Sequence, residues 1–231
     1  MRLLLIRHAQ TPNNVTGALD TAYPGAGLTE LGLRQAAAIP DALAPGAIPD
    51  ALAPGGIAAI AVSPLVRTGL TAAPLAERLG VDARVQHGFE EILAGDWEMS
   101  REWAAVAAYR AALLAWADGD LAHALPGAPD GADFLARFDA AVHATVSPLN
   151  DDETAVVVSH GAAIRAWVTL RTGTSLVRGT SMPNTGMAVL EGDPDAGWAL
   201  RDYVGRPIGG IHLDGGHAHD ALLDVTPHTG G

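Results

Sequence analysis

The stretch Leu3-Leu4-Leu5-Ile6-Arg7-His8-Ala9-Gln10-Thr11 decides the fold. Its four consecutive apolar residues, followed by a segment rich in Pro, Asn and Gly, predict a buried strand rather than a helix. Arg7 and His8 stand at the carboxyl end of this strand, which is where ligands bind in open α/β sheets. A guanidinium and an imidazole placed together there suit an anionic substrate.

Two later segments repeat this design. Thr154-Ala155-Val156-Val157-Val158-Ser159-His160-Gly161 brings a second histidine to a strand end, and Ile60-Ala61-Val62-Ser63-Pro64-Leu65-Val66-Arg67-Thr68 brings an arginine. The segment Phe89–Glu98 supplies carboxylates. These groups converge only if the centre of the sheet is parallel, because parallel strands end at the same edge. Two histidines, two arginines and a carboxylate at one edge indicate a site for phosphoryl transfer.

The chain resembles the histidine phosphatase superfamily, in its phosphoglycerate-mutase-like group. The motifs that carry the resemblance stand in the family's order across about residues 1–190: Arg7-His8-Ala9-Gln10-Thr11 with Asn14, Leu28-Thr29-Glu30-Leu31-Gly32 with Gln35-Ala36, Ser63-Pro64-Leu65 with Arg67-Thr68, Glu91 with Gly95-Asp96-Trp97-Glu98, Ser159-His160-Gly161 with Arg165, and Pro183-Asn184-Thr185-Gly186. The resemblance implies an α/β fold, a three-layer α/β/α sandwich with a mostly parallel central sheet and a helical cap insertion.

The resemblance also implies a division of the chain. Residues 1–205 form the catalytic domain, about 99–150 form the helical cap within it, and 206–231 form an irregular tail. A nine-residue segment, residues 38–46, recurs unchanged as residues 47–55. Its prolines argue against one continuous helix, so we interpret the duplication as a loop expansion on the face away from the site.

By the same resemblance, the reaction is a double displacement through a phosphohistidine. His8 is the nucleophile, and the phosphoryl oxygens are held by Arg7, Arg67 and His160. Glu91 is the expected general acid because it stands four residues before Gly95, as the family's acid does; its neighbour Glu90 is expected to face the other way. No metal or other cofactor is required.

Other polar residues receive lesser roles. Gln10, Thr11, Asn14 and Gly161 are predicted to contact the phosphate or the leaving group, although many relatives carry Glu where Gln10 stands. Ser63 and Asn184 are candidates for orienting catalytic groups, whereas Ser159 and Arg165 are interpreted as structural. Glu98 is expected to support the residues of the site without contacting the substrate.

Composition limits the partners. A formal net charge of −12 argues against nucleic acid, which needs basic residues to neutralise its phosphates. The chain has no cysteine and no apolar run long enough to cross a membrane, so we expect a cytoplasmic protein. The resemblance implies a small phosphorylated substrate as its partner. A homodimer is one expectation for its assembly. His212, His217, His219 and His228 cluster near the carboxyl terminus, but their pattern is a weak metal signal.

Three functions compete at this stage. The preferred one is a phosphatase of small phosphomonoesters, and the alternative is a phosphoglycerate mutase. Mutases of the family carry a polar, basic stretch after the Gly-x-x-x-Gly region, which Asp96–Trp103 and the Ala-rich helix beyond it lack. The third function is that of a non-catalytic phospholigand-binding protein. Such a protein would be expected to lack one of His8, Arg67, Glu91 or His160, and all four are present. Action on phosphoanhydrides or phosphoproteins is a further specialisation of the family.

Overall fold

The computed structural model of the protein describes residues 1–48 and 51–215. Within these ranges one sheet has the strand order β3-β2-β4-β1-β5-β6. Its strands are β1 Arg2–Arg7, β2 Ile57–Val62, β3 Ala83–Val85, β4 Thr154–Ser159, β5 Met187–Asp193 and β6 Gly197–Val204. The first four strands pair in parallel, whereas β5 runs antiparallel to both β1 and β6. The prediction of a mostly parallel sheet is confirmed.

Helices cover both faces of this sheet. They are α1 Pro12–Thr16, α2 Glu30–Ala42, α3 Val66–Leu79, α4 Trp103–Ala117, α5 Gly131–Val146 and α6 Gly161–Thr172. Helices α2 and α3 pack on one face, and α4, α5 and α6 on the other. None of the helices within residues 1–48 and 51–215 is both long and apolar enough to cross a membrane.

The apolar run of β1 is explained by this layering. Leu3 and Leu5 pack in the core beneath α4, α5 and α6, whereas Leu4 and Ile6 pack in the core beneath α2 and α3. All four side chains are fully buried. A central parallel strand is covered on both faces, so it needs consecutive rather than alternating apolar residues.

The segment predicted as a cap contains α4 and α5. Both helices bury aromatic side chains in the core that they share with α6, among them Tyr109 and Trp116 from α4 and Phe138 from α5. The Trp116 ring stacks on that of Phe134 with centroids 5.5 Å apart. These contacts anchor α4 and α5 to the sheet, and the division of the chain at residues 99, 150 and 205 stays a prediction.

The duplicated segment lies at the amino ends of the strands. Helix α2 continues through Pro40 and ends at Ala42, and the described residues after it form turns. The Gly55 amide donates to the Asp152 carbonyl at 2.6 Å, just before β4 begins. Because Arg7 and His160 stand at the opposite, carboxyl ends of β1 and β4, the described part of the duplication is remote from them, as predicted.

Residues 206–215 pack beside α2. They include a short 3-10 helix, Ile211–Leu213, and the Gln35 side-chain amide donates to the Leu213 carbonyl at 2.9 Å. Within residues 1–48 and 51–215, no group of three or more His, Cys, Asp or Glu side chains forms a candidate metal site. Of the histidines weighed as a metal cluster, His217, His219 and His228 lie outside the described residues.

Candidate active site

The two histidines at the strand ends meet because β1 and β4 are neighbours. Arg7 pairs with Ser159 in the parallel register, so His8 and His160 both follow the last pair of the ladder. The His8 amide donates to the Ser159 carbonyl at 2.9 Å. The ring centroids of His8 and His160 lie 5.2 Å apart in an edge-to-face arrangement, and both residues are buried.

The surroundings of His8 favour a neutral imidazole ring. Its Nδ1 lies 2.8 Å from the carbonyl oxygen of Ala9. Because a carbonyl can only accept, Nδ1 carries the proton and Nε2 keeps a lone pair. Burial, and then the positive charges of Arg67 and Arg7, hold the pKa of His8 well below its usual value. The ring is therefore neutral near pH 7, which nucleophilic attack requires.

His160 differs from His8 in its partner. Its Nε2 lies 2.8 Å from the hydroxyl of Ser63, whereas its Nδ1 is buried without a hydrogen-bond partner among the described residues. Burial, and then the charges of Arg67, His8 and other basic groups, lower the pKa of His160 well below its usual value. The second ring is therefore also neutral near pH 7.

Arg7 reaches the site from the last position of β1. Its Nη1 donates to the Met182 carbonyl at 2.6 Å, which anchors one side of the guanidinium. A Cβ on Gly161 would lie 3.2 Å from Nε of Arg7, closer than most contacts of a real Cβ. The glycine at the start of α6 thus leaves room for the arginine.

Arg67 lies in the first turn of α3 and is almost completely buried. Its Nη2 donates to the Asp20 carbonyl at 2.8 Å. Its Nε and Nη1 have no hydrogen-bond partner in residues 1–48 and 51–215, although Nη1 lies 3.5 Å from the Asp20 carboxylate. Burial lowers the pKa of Arg67, and nearby carboxylates, Asp20 first, oppose that shift. Nε and Nη1 therefore keep N–H groups that can donate to an anion, although Nη1 also lies next to the Asp20 carboxylate.

Glu91 lies at the amino terminus of α6. Its Oε1 accepts from the Ala163 amide at 2.8 Å and its Oε2 from the Ala162 amide at 3.3 Å. Helix amino termini favour such a carboxylate because their first amides lack partners within the helix. Glu90, by contrast, accepts from the Gly88 amide at 2.6 Å and lies near His87 and Arg137. The two neighbouring carboxylates thus have separate environments, in line with the choice of Glu91.

These groups surround a cavity of about 70 Å³. Most of the predicted site residues line it, namely Arg7, His8, Thr11, Asn14, Arg67, Glu91 and Gly161. The cavity is large enough for a phosphoryl group. His160 packs against His8 without lining the cavity itself. Although the whole chain is acidic, three arginines lie at this one cavity, the third being Arg165.

Gln10 was predicted to contact the phosphate or the leaving group, and the structure gives it other partners. Its side-chain oxygen accepts from the Thr29 hydroxyl at 2.8 Å, and its main-chain amide donates to the Gln35 side chain at 2.8 Å. Thr29 caps α2 and Gln35 lies within it, and the Gln10 side chain does not line the cavity. The residue couples the loop after His8 to α2, and its contact with phosphate stays a prediction.

Asn14 and Asn184 stabilise the loop after His8. The Asn184 amide donates to the His8 carbonyl at 2.9 Å and to the Asn14 side-chain oxygen at 3.1 Å. That same Asn14 oxygen accepts from the Thr11 amide at 3.0 Å. Asn184 thus contacts the main chain of His8, and its role in orienting catalytic groups stays a prediction.

Four polar residues at the cavity were not predicted to contact substrate: Asp20, Thr21, Tyr109 and Arg165. Arg165 was interpreted as structural, and it does donate to the carbonyls of Gly161 and Thr180, at 3.2 and 2.6 Å. It also lines the cavity, one helical turn after Gly161. The Tyr109 hydroxyl donates to the Ile92 carbonyl at 2.9 Å, and burial raises the pKa of Tyr109 well above its usual value.

Glu98 connects two walls of the cavity. Its Oε1 accepts from the amides of Thr21 and Ala22 at 2.9 and 3.0 Å, and the Thr21 hydroxyl donates to its other oxygen. The Ala94 amide in turn donates to the Thr21 hydroxyl at 2.9 Å. Glu98 does not line the cavity, and it ties the Asp20–Thr21 loop to the segment that carries Glu91. This placement outside the substrate contacts matches the expectation.

Known proteins are similar to this chain in sequence. A family model described as the histidine phosphatase superfamily (branch 1) matches residues 3–204. Glucosyl-3-phosphoglycerate phosphatase of Mycobacterium tuberculosis is 33% identical over 176 residues, covering 71% of this chain and 72% of that protein. The PE-PGRS family protein PE_PGRS11 of the same organism is 36% identical over 226 residues, covering 90% of this chain. This chain spans only 37% of PE_PGRS11.

The fold comparison agrees with the sequence comparison. The structure of a mycobacterial glucosyl-3-phosphoglycerate phosphatase in complex with VO3 superposes with a TM-score of 0.70 at 28% identity. The match covers 88% of this chain and 98% of that one.

Proposed function

Because this chain belongs to branch 1 of the histidine phosphatase superfamily, we propose that it hydrolyses small phosphomonoesters through a phosphohistidine on His8. The observation that carries the proposal is the neutral His8 ring, which lines a cavity of phosphoryl size together with the guanidinium of Arg67. A preorganised nucleophile beside positive charge supports the proposal, because such groups need no rearrangement during the reaction.

The first step forms a bond between Nε2 of His8 and phosphorus and breaks the bond between phosphorus and the ester oxygen. Arg7 and Arg67 hold the phosphoryl oxygens, on which most of the charge resides. Glu91 donates a proton to the departing alcohol, which leaves without negative charge. Guanidinium groups supply the positive charge, so the reaction needs no metal ion.

The second step uses the same groups in reverse. Water attacks phosphorus, Glu91 accepts the proton of that water, and the bond to Nε2 breaks. Inorganic phosphate and the resting enzyme result. Splitting one difficult displacement into two steps is the advantage of a covalent intermediate.

The phosphatase function is preferred over mutase function on two grounds. A mutase must hold the dephosphorylated product for a second transfer, yet Tyr109 is the single α4 residue that lines the cavity in the described part of the chain. Two of the similar proteins named above, a curated relative and a solved structure, are glucosyl-3-phosphoglycerate phosphatases by name. A non-catalytic binder does not need Glu91, which is present and held at the cavity.

The name of the relative suggests the first substrate to test. We propose a phosphorylated sugar acid such as glucosyl-3-phosphoglycerate as one member of a substrate panel. The panel also holds 3-phosphoglycerate and an aryl phosphate, each assayed with a chelator present and with H8A in parallel.

Each result of that panel is informative. Phosphate release that survives the chelator and is lost in H8A supports the proposal. Conversion of 3- to 2-phosphoglycerate after addition of a bisphosphoglycerate primer, with no phosphate release from any substrate, contradicts it. A cytoplasmic location and a homodimer stay predictions.

A further inference from the structure

Ser63 stands where β2 ends and contacts the second histidine. Its hydroxyl oxygen lies 2.8 Å from Nε2 of His160 and 3.2 Å from the hydroxyl of Thr68. Ser63, Thr68 and His160 are each at most 1% exposed. The direction of their hydrogen bonds is therefore decided by protein groups, since the three side chains are shielded from solvent.

The proton of Thr68 is already used. Its hydroxyl donates to the carbonyls of Ser63 at 2.7 Å and Leu65 at 2.8 Å, and carbonyl oxygens can only accept. Toward Ser63, the Thr68 hydroxyl is thus an acceptor. The Leu65 amide donates to the Ser63 hydroxyl at 3.3 Å, which supplies that oxygen with one donor.

The proton of Ser63 has two acceptors to choose from, Nε2 of His160 and the Thr68 hydroxyl. The contact with Nε2 is shorter by 0.4 Å, the difference between the two distances above. An imidazole nitrogen is also the better acceptor of the two. A Ser63 hydroxyl that donates to Nε2 leaves a neutral His160 with its proton on Nδ1.

This tautomer explains the unpartnered atom of the site. Nδ1 of His160 is buried and has no hydrogen-bond partner among the described residues. A buried donor without a partner is unfavourable, and such atoms at a site indicate a missing ligand. His160 packs against His8, the predicted attachment point of the phosphoryl group, so a phosphoryl oxygen is the acceptor that Nδ1 lacks.

We propose that Ser63 is a positioning residue that holds His160 as its Nδ1–H tautomer, so that His160 donates a hydrogen bond to the phosphoryl oxygen of the substrate. His8 and His160 then carry their protons on the same ring atom for opposite purposes. His8 presents a lone pair, and His160 presents an N–H. This inference rests on the proposed function, because it takes the ligand to be a phosphoryl group.

The test is nitrogen-15 NMR of the imidazole rings, combined with binding of orthovanadate as a phosphoryl analogue. H160Q identifies the His160 signals by their disappearance. The wild type is expected to show the Nδ1–H tautomer and to bind orthovanadate. In S63A the Nε2–H tautomer should appear, and orthovanadate affinity should fall about tenfold, the size of one hydrogen bond to a charged partner. S63C, whose thiol is a weak donor, should lie between the two.

S159A is the matched control. Ser159 is equally buried, is adjacent to His160 in sequence and donates to the Phe89 carbonyl at 2.8 Å, away from the ring. The S159A variant should lose stability yet keep both the Nδ1–H tautomer of His160 and the affinity for orthovanadate. Thermal unfolding of each variant shows which of them are folded.

The outcomes separate the two proposals. A wild-type protein that binds orthovanadate with His160 as the Nε2–H tautomer overturns the role of Ser63. An unchanged tautomer in folded S63A and S63C overturns it as well. Failure of the wild type both to bind orthovanadate and to hydrolyse any ester would instead count against the proposed function.

Discussion

Asp20 holds Arg67 by two of its own atoms. Its main-chain oxygen accepts from Nη2 of Arg67 at 2.8 Å, and its carboxylate lies 3.5 Å from Nη1. The same carboxylate accepts from the Asn13 side chain at 2.8 Å and from the Ala26 amide at 3.0 Å. The loop after His8 thereby orients an arginine that belongs to α3.

Removing the Asp20 carboxylate should weaken catalysis without unfolding the protein. In D20A, Arg67 keeps its bond to the main chain but loses the charged partner that orients Nη1. We expect kcat/KM to fall about tenfold, because a misplaced catalytic group costs on that order or more. Steady-state kinetics on the best panel substrate measures this.

The control for D20A is D41A. Asp41 also pairs with an arginine, Arg78, at 3.1 Å, but both side chains are largely exposed. Exposed pairs contribute little, so D41A should keep wild-type kinetics. Equal losses in the two variants would show that Asp20 does not act through Arg67.

Gly25 should be required for the position of Arg67. Its φ of +68° disfavours any side chain, and a Cβ there would collide with Nη1 of Arg67. Gly80 has nearly the same φ, +64°, but nothing lies within 4 Å of a Cβ built on it. G25A and G80A should therefore lose similar stability, about 1 kcal/mol each. Only G25A should also lower kcat/KM, by about tenfold or more.

Thermal unfolding of G25A and G80A measures the cost of backbone strain, and kinetics on the same preparations measure the effect of moving Arg67. An active site in G25A as efficient as that in G80A would mean that Arg67 can move without consequence.

Glu91 should be needed most for poor leaving groups. E91Q keeps the shape of the side chain but cannot give a proton to the departing alcohol. We expect kcat for an alkyl phosphate to fall about 10²- to 10⁴-fold, the usual contribution of general acid–base catalysis. Formation of the phosphoenzyme from an aryl phosphate, whose leaving group needs little protonation, should fall much less.

E90Q is the neighbouring control, since Glu90 contacts Gly88, His87 and Arg137. It should preserve the ratio of alkyl to aryl rates. If the ratio of alkyl to aryl phosphate rates changes in E90Q and stays constant in E91Q, the general acid is Glu90 and the assignment to Glu91 is wrong.

The pH dependence should show a nucleophile that stays neutral below its usual range. Because the pKa of His8 is lowered by burial and by Arg67 and Arg7, lowering the pH from 7 through 6.5 should not protonate it. A lowered pKa extends the pH range of the neutral ring to more acidic values. NMR titration of the His8 ring measures this directly. A His8 ring that becomes protonated between pH 7 and 6.5 would contradict the prediction.

The fold was predictable because its core strands are unambiguous. The apolar runs of β1 and β4 bury both faces, and each ends directly at a histidine. Strand ends also predicted the convergence of Arg7, His8 and His160. These predictions depend on main-chain direction, which short apolar runs determine well.

The rest of the site depends on where individual side chains turn. Gln10 stands two residues after His8 and was predicted to bind phosphate, yet Thr29 and Gln35 draw it to α2. Arg165 looked structural and is structural, but its helix also brings it to the cavity. Asp20 stands in a loop with no periodicity, where spacing predicts no partner. Tertiary contacts decide such positions.

The most direct measurement is rapid acid or alkaline quenching of E91Q after mixing with a phosphomonoester labelled with phosphorus-32. A covalent mechanism predicts label on the protein that is stable in alkali and lost in acid, as a phosphoramidate is. It also predicts label on His8 by peptide mapping and none in H8A/E91Q. Hydrolysis of the same substrate by wild-type enzyme with no labelled protein at any quench time, or label that persists in H8A/E91Q, would contradict the phosphohistidine mechanism.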